Sequence, residues 1–368
     1  MRGQEFPKLD CQYAGKCSGC PWYELPYSEQ QQRKIKALEP YTVDAFHPVA
    51  PYGLRERMDI SLFEGKLGLY DFAKKDLVDI QECQQVVPEL NHWIHDFRKQ
   101  LPPVRLGSFR LRIGINGQRG IWMDIPNVDI KKLLEEKTYL MSMMNEGVHI
   151  ELGQKRKALL LKGEELKLQD DIFYPWFSTY QGEDFQPLPL FSKVGDFSQS
   201  GQQANKIMMQ VLSKMLFDLP VQNISELCSG IGNFSFFMAS LGYEVDAHEW
   251  NLASLKACEK TLETFSEKAK IKFHRTNIHA NNLEFTKKWQ HTDLVLADPP
   301  RSGLGKFVDL FANYEAPKYF IYASCFAETF KKDLEALKRF GYKLKRLDLV
   351  DQFPQSKHVE AIGLLLQD

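Results

Sequence analysis

Two rhythms of apolar and polar positions divide the chain. From about Ala45 to about Ser192 apolar residues recur with a period of two, the spacing of half-buried strands. Asp59-Ile60-Ser61-Leu62-Phe63 and Lys66-Leu67-Gly68-Leu69-Tyr70 flank Glu64-Gly65, which predicts a hairpin. Phe109, Leu111, Ile113 and Ile115 alternate with Arg110 and Arg112. Asn116-Gly117 then turns the chain into Gly120-Ile121-Trp122-Met123, a strong hairpin signal because both turn residues accept positive φ. Val148 to Leu152 and Ala158 to Leu161 pair around a basic turn, Gln154 to Lys157. Helical patterns run over Pro88 to Gln100 and Val128 to Glu136, and the Gln/Lys-rich Tyr27 to Leu38 reads as another helix. An antiparallel sheet with helices against it is expected.

From about residue 204 strand and helix patterns alternate, which implies a parallel sheet. The apolar runs Ile224 to Cys228, Tyr243 to His248, Leu294 to Ala297 and Tyr319 to Ala323 each end in polar or reactive residues. These are Ser229-Gly230-Ile231-Gly232-Asn233-Phe234, Glu249, Asp298-Pro299-Pro300-Arg301 and Ser324-Cys325. In open α/β sheets ligands bind outside the carboxyl ends of the strands. Gly230 and Gly232 let backbone approach a ligand, and an acid at the position of Glu249 accepts hydrogen bonds from ribose hydroxyls. A third glycine, needed for a dinucleotide pyrophosphate, is missing. S-adenosylmethionine, with a ribose and no phosphate, fits better. A cysteine held at a strand end can be a nucleophile, although most free cysteines are structural thiols. Cys258, inside a helical pattern, reads as packing.

Composition narrows the classes. The 368 residues leave room for two or three domains, and 43% hydrophobic with 26% charged residues excludes a disordered chain. No run of about 18 apolar residues is present, so no membrane span is expected. Met1 to Glu5 lacks an apolar signal region, which points to the cytoplasm. Lys plus Arg at 47 against Asp plus Glu at 48 leaves a net charge of −1, so any nucleic-acid surface must be local. Arg105, Arg110, Arg112 and Arg119 fall in one hairpin; they read equally as phosphate contacts or as an ordinary polar face. Arg33-Lys34 and Lys36 stand on the first helix, as a solvated face or the edge of an RNA path. Cys11, Cys17 and Cys20, with Gly15 and Gly19 between them, and the distant Cys83 make a Cys₄ metal site. Spacing alone leaves zinc and iron–sulfur both open.

These marks occur together in one family. The chain resembles the bacterial RNA (uracil-5-)-methyltransferases, and most closely the short 23S rRNA type. The resemblance runs through C-x₅-C-x₂-C with Cys83, Phe197-Ser198-Gln199, Glu226-Leu227-Cys228-Ser229-Gly230-Ile231-Gly232, Glu249 and Asp298-Pro299-Pro300-Arg301. It continues through Ser324-Cys325 with Thr329 and Asp333-Leu334, then Phe353-Pro354 and His358-Val359-Glu360. It implies a [4Fe–4S] cluster on Cys11, Cys17, Cys20 and Cys83, Cys325 as nucleophile and Glu360 as base. It also implies S-adenosylmethionine contacts at Gln199, Cys228, Glu249 and Asp298. The chain departs from the family pattern at Cys228, usually aromatic; at Ser229, usually Cys; and at Phe326 and Gly201, both usually Asn. Only ten residues precede Cys11, so the amino-terminal RNA-binding barrel of longer relatives is not expected.

The expected architecture is α/β: an iron–sulfur region over 1–45, an antiparallel α+β domain over 46–192 that contacts RNA and supplies Cys83, and a Rossmann-like class I methyltransferase domain over 193–368. The expected partner of this monomer is RNA, 23S rRNA first and tRNA as the alternative, with no DNA. Amino methyltransferases place an aromatic after the acid-Pro-Pro motif, where Arg301 stands, and would leave Cys325 idle. DNA cytosine-C5 enzymes carry their cysteine beside the fourth-strand motif, and no cysteine lies between 258 and 325. A non-enzymatic RNA-binding or assembly factor on the same fold is the remaining alternative.

Overall fold

A computed structural model describes residues 6–8, 10–71, 76–278, 289, 291–312 and 316–367; Met1 to Glu5 lie outside them. Helix α1 (Tyr27–Ala37) is followed by β1 (Ala45–His47), β2 (Arg57–Phe63), β3 (Lys66–Asp71), β4 (Asp76–Asp79) and α2 (Pro88–Lys99). Next come β5 (Leu106–Ile113), β6 (Arg119–Asp124), α3 (Asn127–Glu136), α4 (Thr138–Asn145), β7 (Val148–Leu152), β8 (Lys157–Lys162) and β9 (Glu165–Gln169). Strands β2 to β9 form one eight-stranded sheet in the order β4-β3-β2-β5-β6-β7-β8-β9. Every pairing in it is antiparallel except β6 with β7, which run parallel because α3 and α4 carry the chain back across the sheet. Helix α2 starts on Pro88, where the missing N–H costs nothing. It buries Leu90, Trp93, Ile94 and Phe97, one helical face, against Phe109 and its neighbours in β5.

A two-stranded ribbon, β10 (Tyr174–Gln181) with β11 (Gln186–Ser192), leads into α5 (Gln202–Phe217). The rest is β12 (Asn223–Leu227), α6 (Asn233–Ser240), β13 (Glu244–Glu249), α7 (Leu252–Leu262), β14 (Ile271–Arg275), β15 (Leu294–Ala297), β16 (Tyr319–Ser324), α8 (Ala327–Lys338), β17 (Tyr342–Val350) and β18 (Glu360–Gln367). The second eight-stranded sheet has the order β1-β17-β18-β16-β15-β12-β13-β14. Strands β16, β15, β12, β13 and β14 are parallel, and β18 is antiparallel to both β16 and β17. The strand order reverses at β12, flanked by β13 and β15, and such a reversal opens a crevice at the carboxyl ends.

Two joins tie separate parts of the chain to the second sheet. Strand β1 pairs with β17, so the chain enters the second sheet before it builds the first. The β10–β11 ribbon packs on α6 and α7 and shares a hydrophobic core with the second sheet. The hairpin arginines are mostly matched by carboxylates. Arg110 pairs with Asp59, Arg105 with Glu64 and Arg119 with Asp96, while Arg112 is fully buried. Arg110 ties β5 to β2 and Arg119 ties β6 to α2, while Arg112 faces the interior.

Candidate active site

The crevice is built by strand ends. β12 stops at Leu227 because Cys228 turns into the left-handed region (φ 60°), followed by Gly230 (57°) and Gly232 (84°). A Cβ on Gly232 would stand 2.6 Å from the Phe236 ring, so both the turn and the packing require glycine there. Glu249, at the end of β13, accepts from the Gly230 N–H (2.9 Å) and the Asn251 N–H (2.6 Å), which aims its carboxylate into the turn. Asp298 follows the fully buried β15, and Gln199 Nε2 lies 3.5 Å from its Oδ2. Burial pushes the Asp298 carboxyl up to about 7. The same cause lifts the buried Glu226 to about 8 and raises the Cys228 thiol.

Cys325 directly follows β16. Because β18 runs antiparallel to β16 with Ser324 opposite Ala361, Glu360 is brought to the same end of the sheet as Cys325. Glu360 is buried, at 2% exposure. Burial drives its carboxyl well above the usual range and nearby Asp298 adds to this, opposed by a hydrogen bond from Gln352. Burial also raises the Cys325 thiol to about 11, with Glu360 and Asp298 pushing the same way, while a hydrogen bond and the positive charge of Arg301 pull it back. The loop carrying Arg301 is locked from α8. Thr329 Oγ1 donates to the Arg301 carbonyl (3.0 Å), and Asp333 accepts from the Leu304 N–H (2.8 Å) and from the Tyr322 hydroxyl. Beside Cys325, the Phe326 ring lies 5.9 Å from His358, and His358 lies 6.2 Å from Phe353.

The loop that delivers Gln199 is anchored in the first sheet. Glu151 of β7 accepts from the Val194 and Gly195 N–H groups (3.1 and 2.8 Å). Arg112 of β5 donates to Ser198 Oγ (2.8 Å), and Arg156 pairs with Asp196. A Cβ on Gly201 would stand 2.0 Å from the Leu54 carbonyl oxygen, which explains why this chain has no side chain there. Gln352, Ser200 and Glu151 were not legible as site residues, because each lies outside a motif.

Cys11, Cys17, Cys20 and Cys83 line one cavity of about 230 Å³ between the amino-terminal loop and the first sheet, along with Arg55, Arg57, Ser200 and Phe353. Among the described residues no group of three or more His, Cys, Asp or Glu side chains is disposed to hold a metal ion. The thiols are close enough to feel one another. Burial raises Cys20 to about 12, with Cys83, Cys17 and Cys11 adding to it and Arg55 opposing. The four thiols share one partly enclosed space.

The parallel sheet with its reversal, the G-x-G turn and the acid on the next strand define a class I S-adenosylmethionine-dependent methyltransferase. The fold agrees with that of the Pyrococcus abyssi tRNA (uracil-54, C5)-methyltransferase in complex with S-adenosyl-L-homocysteine. The TM-score is 0.70, with 18% identity, over 96% of this chain and 86% of that one. Residues 191–368 match the family described as tRNA (Uracil-5-)-methyltransferase. An uncharacterized RNA methyltransferase of Bdellovibrio bacteriovorus is 36% identical over 99% of this chain and 98% of its own length. The 23S rRNA (uracil(747)-C(5))-methyltransferase RlmC of Haemophilus influenzae is 25% identical over 97% and 98%. The chain belongs to the RNA (uracil-C5)-methyltransferase family.

Proposed function

We propose that the protein methylates C5 of a specific uridine in 23S rRNA with S-adenosylmethionine, through a covalent bond between Cys325 and uracil C6. The observation that carries this reading is the convergence of Cys325, Glu360, Asp298 and Gln199 at the carboxyl ends of β15 and β16. Uracil C5 is a poor carbon nucleophile. Addition of the Cys325 thiolate at C6 makes an enolate whose C5 can take a methyl group. The cofactor, when bound, supplies an electrophilic sulfonium methyl. Glu360 then removes the C5 proton, the C6–S bond breaks, and the thiolate leaves with the ring unsaturated again. Arg301 favours the thiolate that begins the sequence. The carboxyl of Glu360, raised by burial, is a strong base once ionised. Gln199, Cys228, Glu249 and Asp298 form the cofactor wall, with Glu249 on the ribose. To reach Cys325 the base must leave its stack, at roughly a few kcal/mol, and the Phe326–His358–Phe353 group offers aromatic faces to receive it.

The amino-terminal loop, in this reading, holds a [4Fe–4S] cluster on Cys11, Cys17, Cys20 and Cys83. The cluster ties that loop to the sheet that carries Cys83. The chain divides functionally into this loop (1–45), an RNA-contacting region (46–192) and the catalytic region (193–368), acting as a cytoplasmic monomer. The 23S target is favoured because a relative of matching length bears that name. Release of tritium from RNA labelled at uridine C5 tests the reaction. Mapping 5-methyluridine in rRNA and tRNA from a deletion strain tests the target: loss from 23S rRNA supports the proposal, and loss from tRNA alone replaces it with the tRNA reading.

A further inference from the structure

We infer that Gln352 is a positioning residue that holds Glu360 by one carboxylate oxygen and leaves the other free for the C5 proton. This rests on Glu360 being the base. β17 ends at Val350, directly opposite Glu360, so residues 351–359 form a loop that folds back over the strand end. Gln352 sits in it at 1% exposure. Its Nε2 donates to Glu360 Oε2. Its Oε1 lies 3.5 Å from the Ser200 N–H and 3.1 Å from Ser200 Oγ, and its backbone carbonyl lies 3.0 Å from the same hydroxyl. A backbone N–H can only donate, so it requires the amide oxygen to face Ser200. The amide nitrogen must then face Glu360. Glu360 Oε1, also buried, has no hydrogen-bond partner among the described residues. An unsatisfied carboxylate oxygen at full burial is costly, and its use is to accept a proton from substrate.

Ser200 adjoins Gln199, so a single side chain spans from the cofactor loop to the base. The loop itself is fixed from behind by α1. Asp351 accepts from Tyr27 (2.8 Å) and Lys34, Lys34 Nζ donates to the Phe353 carbonyl (3.0 Å), and Gln30 and Gln355 exchange two bonds of 2.9 Å. Gln352 therefore sits on a rigid base. The titratable groups that interact with Glu360 are Asp298 and Cys325, both anionic when charged.

The test separates methyl transfer from proton removal. Gln352→Met keeps length and loses the donor; Gln352→Glu, protonated at low pH, restores a donor there. In Gln352→Met, single-turnover methyl incorporation from labelled S-adenosylmethionine should stay within about twofold of the parent. Decay of the covalent RNA adduct should slow roughly tenfold at pH 7, the loss expected of one hydrogen bond to a charged group. Because the lost bond favours the carboxylate, the pH profile of adduct decay should move upward by about one unit. Gln352→Glu should recover part of the decay rate at low pH. Glu360→Gln is run alongside. If Glu360→Gln accumulates adduct while Gln352→Met resolves it at the parent rate and pH profile, the role of Gln352 is refuted and that of Glu360 stands. If Glu360→Gln accumulates none, the reading of Glu360 fails first. A Gln352→Met protein that loses methyl transfer and adduct decay equally also refutes the inference, since that is the mark of general damage.

Discussion

Lys34→Met should destabilise the protein by about 3 kcal/mol, the low end of what breaking a buried ion pair costs by stranding the remaining charge. Lys34 and Asp351 side chains are both fully inaccessible to solvent and pair directly. Methionine keeps the apolar stem but, among the described residues, leaves Asp351 with only the Tyr27 hydroxyl as side-chain donor, and leaves the Phe353 carbonyl without Lys34. Tyr27 limits the loss, which is why the low end applies. About 3 kcal/mol corresponds to roughly a hundredfold shift in the folding equilibrium. Asp351→Asn removes the stranded charge, so Lys34→Met with Asp351→Asn should recover more than half of the loss. Urea unfolding followed by tryptophan fluorescence measures both variants, since Trp22 packs near Lys34. A Lys34→Met protein within about 0.5 kcal/mol of the parent, the range of a neutral surface change, would refute the reasoning. So would a double variant no more stable than the single one.

Two further outcomes follow from the site. Alkylation of Cys325 by iodoacetamide, read by peptide mass spectrometry, should rise about tenfold per pH unit between pH 7 and 10. The thiol is raised to about 11, so below that value the reactive thiolate grows with pH; a plateau near pH 7 would contradict it. On the proposed cluster assignment, Cys83→Ser purified without oxygen should hold far less iron than the parent and lack the parent's broad absorbance at roughly 400 nm from thiolate-to-iron charge transfer; a parent protein that is colourless and holds one zinc would remove the iron assignment.

Much of the catalytic half was legible because local pattern and fold agree. The runs Leu294 to Ala297 and Tyr319 to Ala323 are strands within one residue of their expected ends, since buried parallel strands read as unbroken apolar runs. Tyr27 to Leu38 and Pro88 to Gln100 became helices one residue shorter. The convergence of Cys325 with Glu360 was not readable from spacing. It depends on β18 pairing antiparallel with β16, and only the family resemblance brought the two residues together in advance. The arginine hairpin shows the opposite failure. Asp59, Glu64 and Asp96, which neutralise Arg110, Arg105 and Arg119, lie far enough away in sequence that no local pattern announces them. Gln352 was invisible for a similar reason: an amide in a loop carries no periodic signal, and its meaning comes from Ser200 and Glu360.

The central claim is that Cys325 and Glu360 act in sequence on one covalent intermediate. Incubating Glu360→Gln with labelled target RNA and S-adenosylmethionine, then running a denaturing gel, tests it most directly. The account predicts a slow protein–RNA band carrying the new methyl group, because the C5 proton has lost its acceptor and the C6–S bond cannot break. Cys325→Ala should give no such band, and the double variant should match Cys325→Ala. Normal turnover by Glu360→Gln without a band, or methylation by Cys325→Ala at an appreciable rate, would contradict the account.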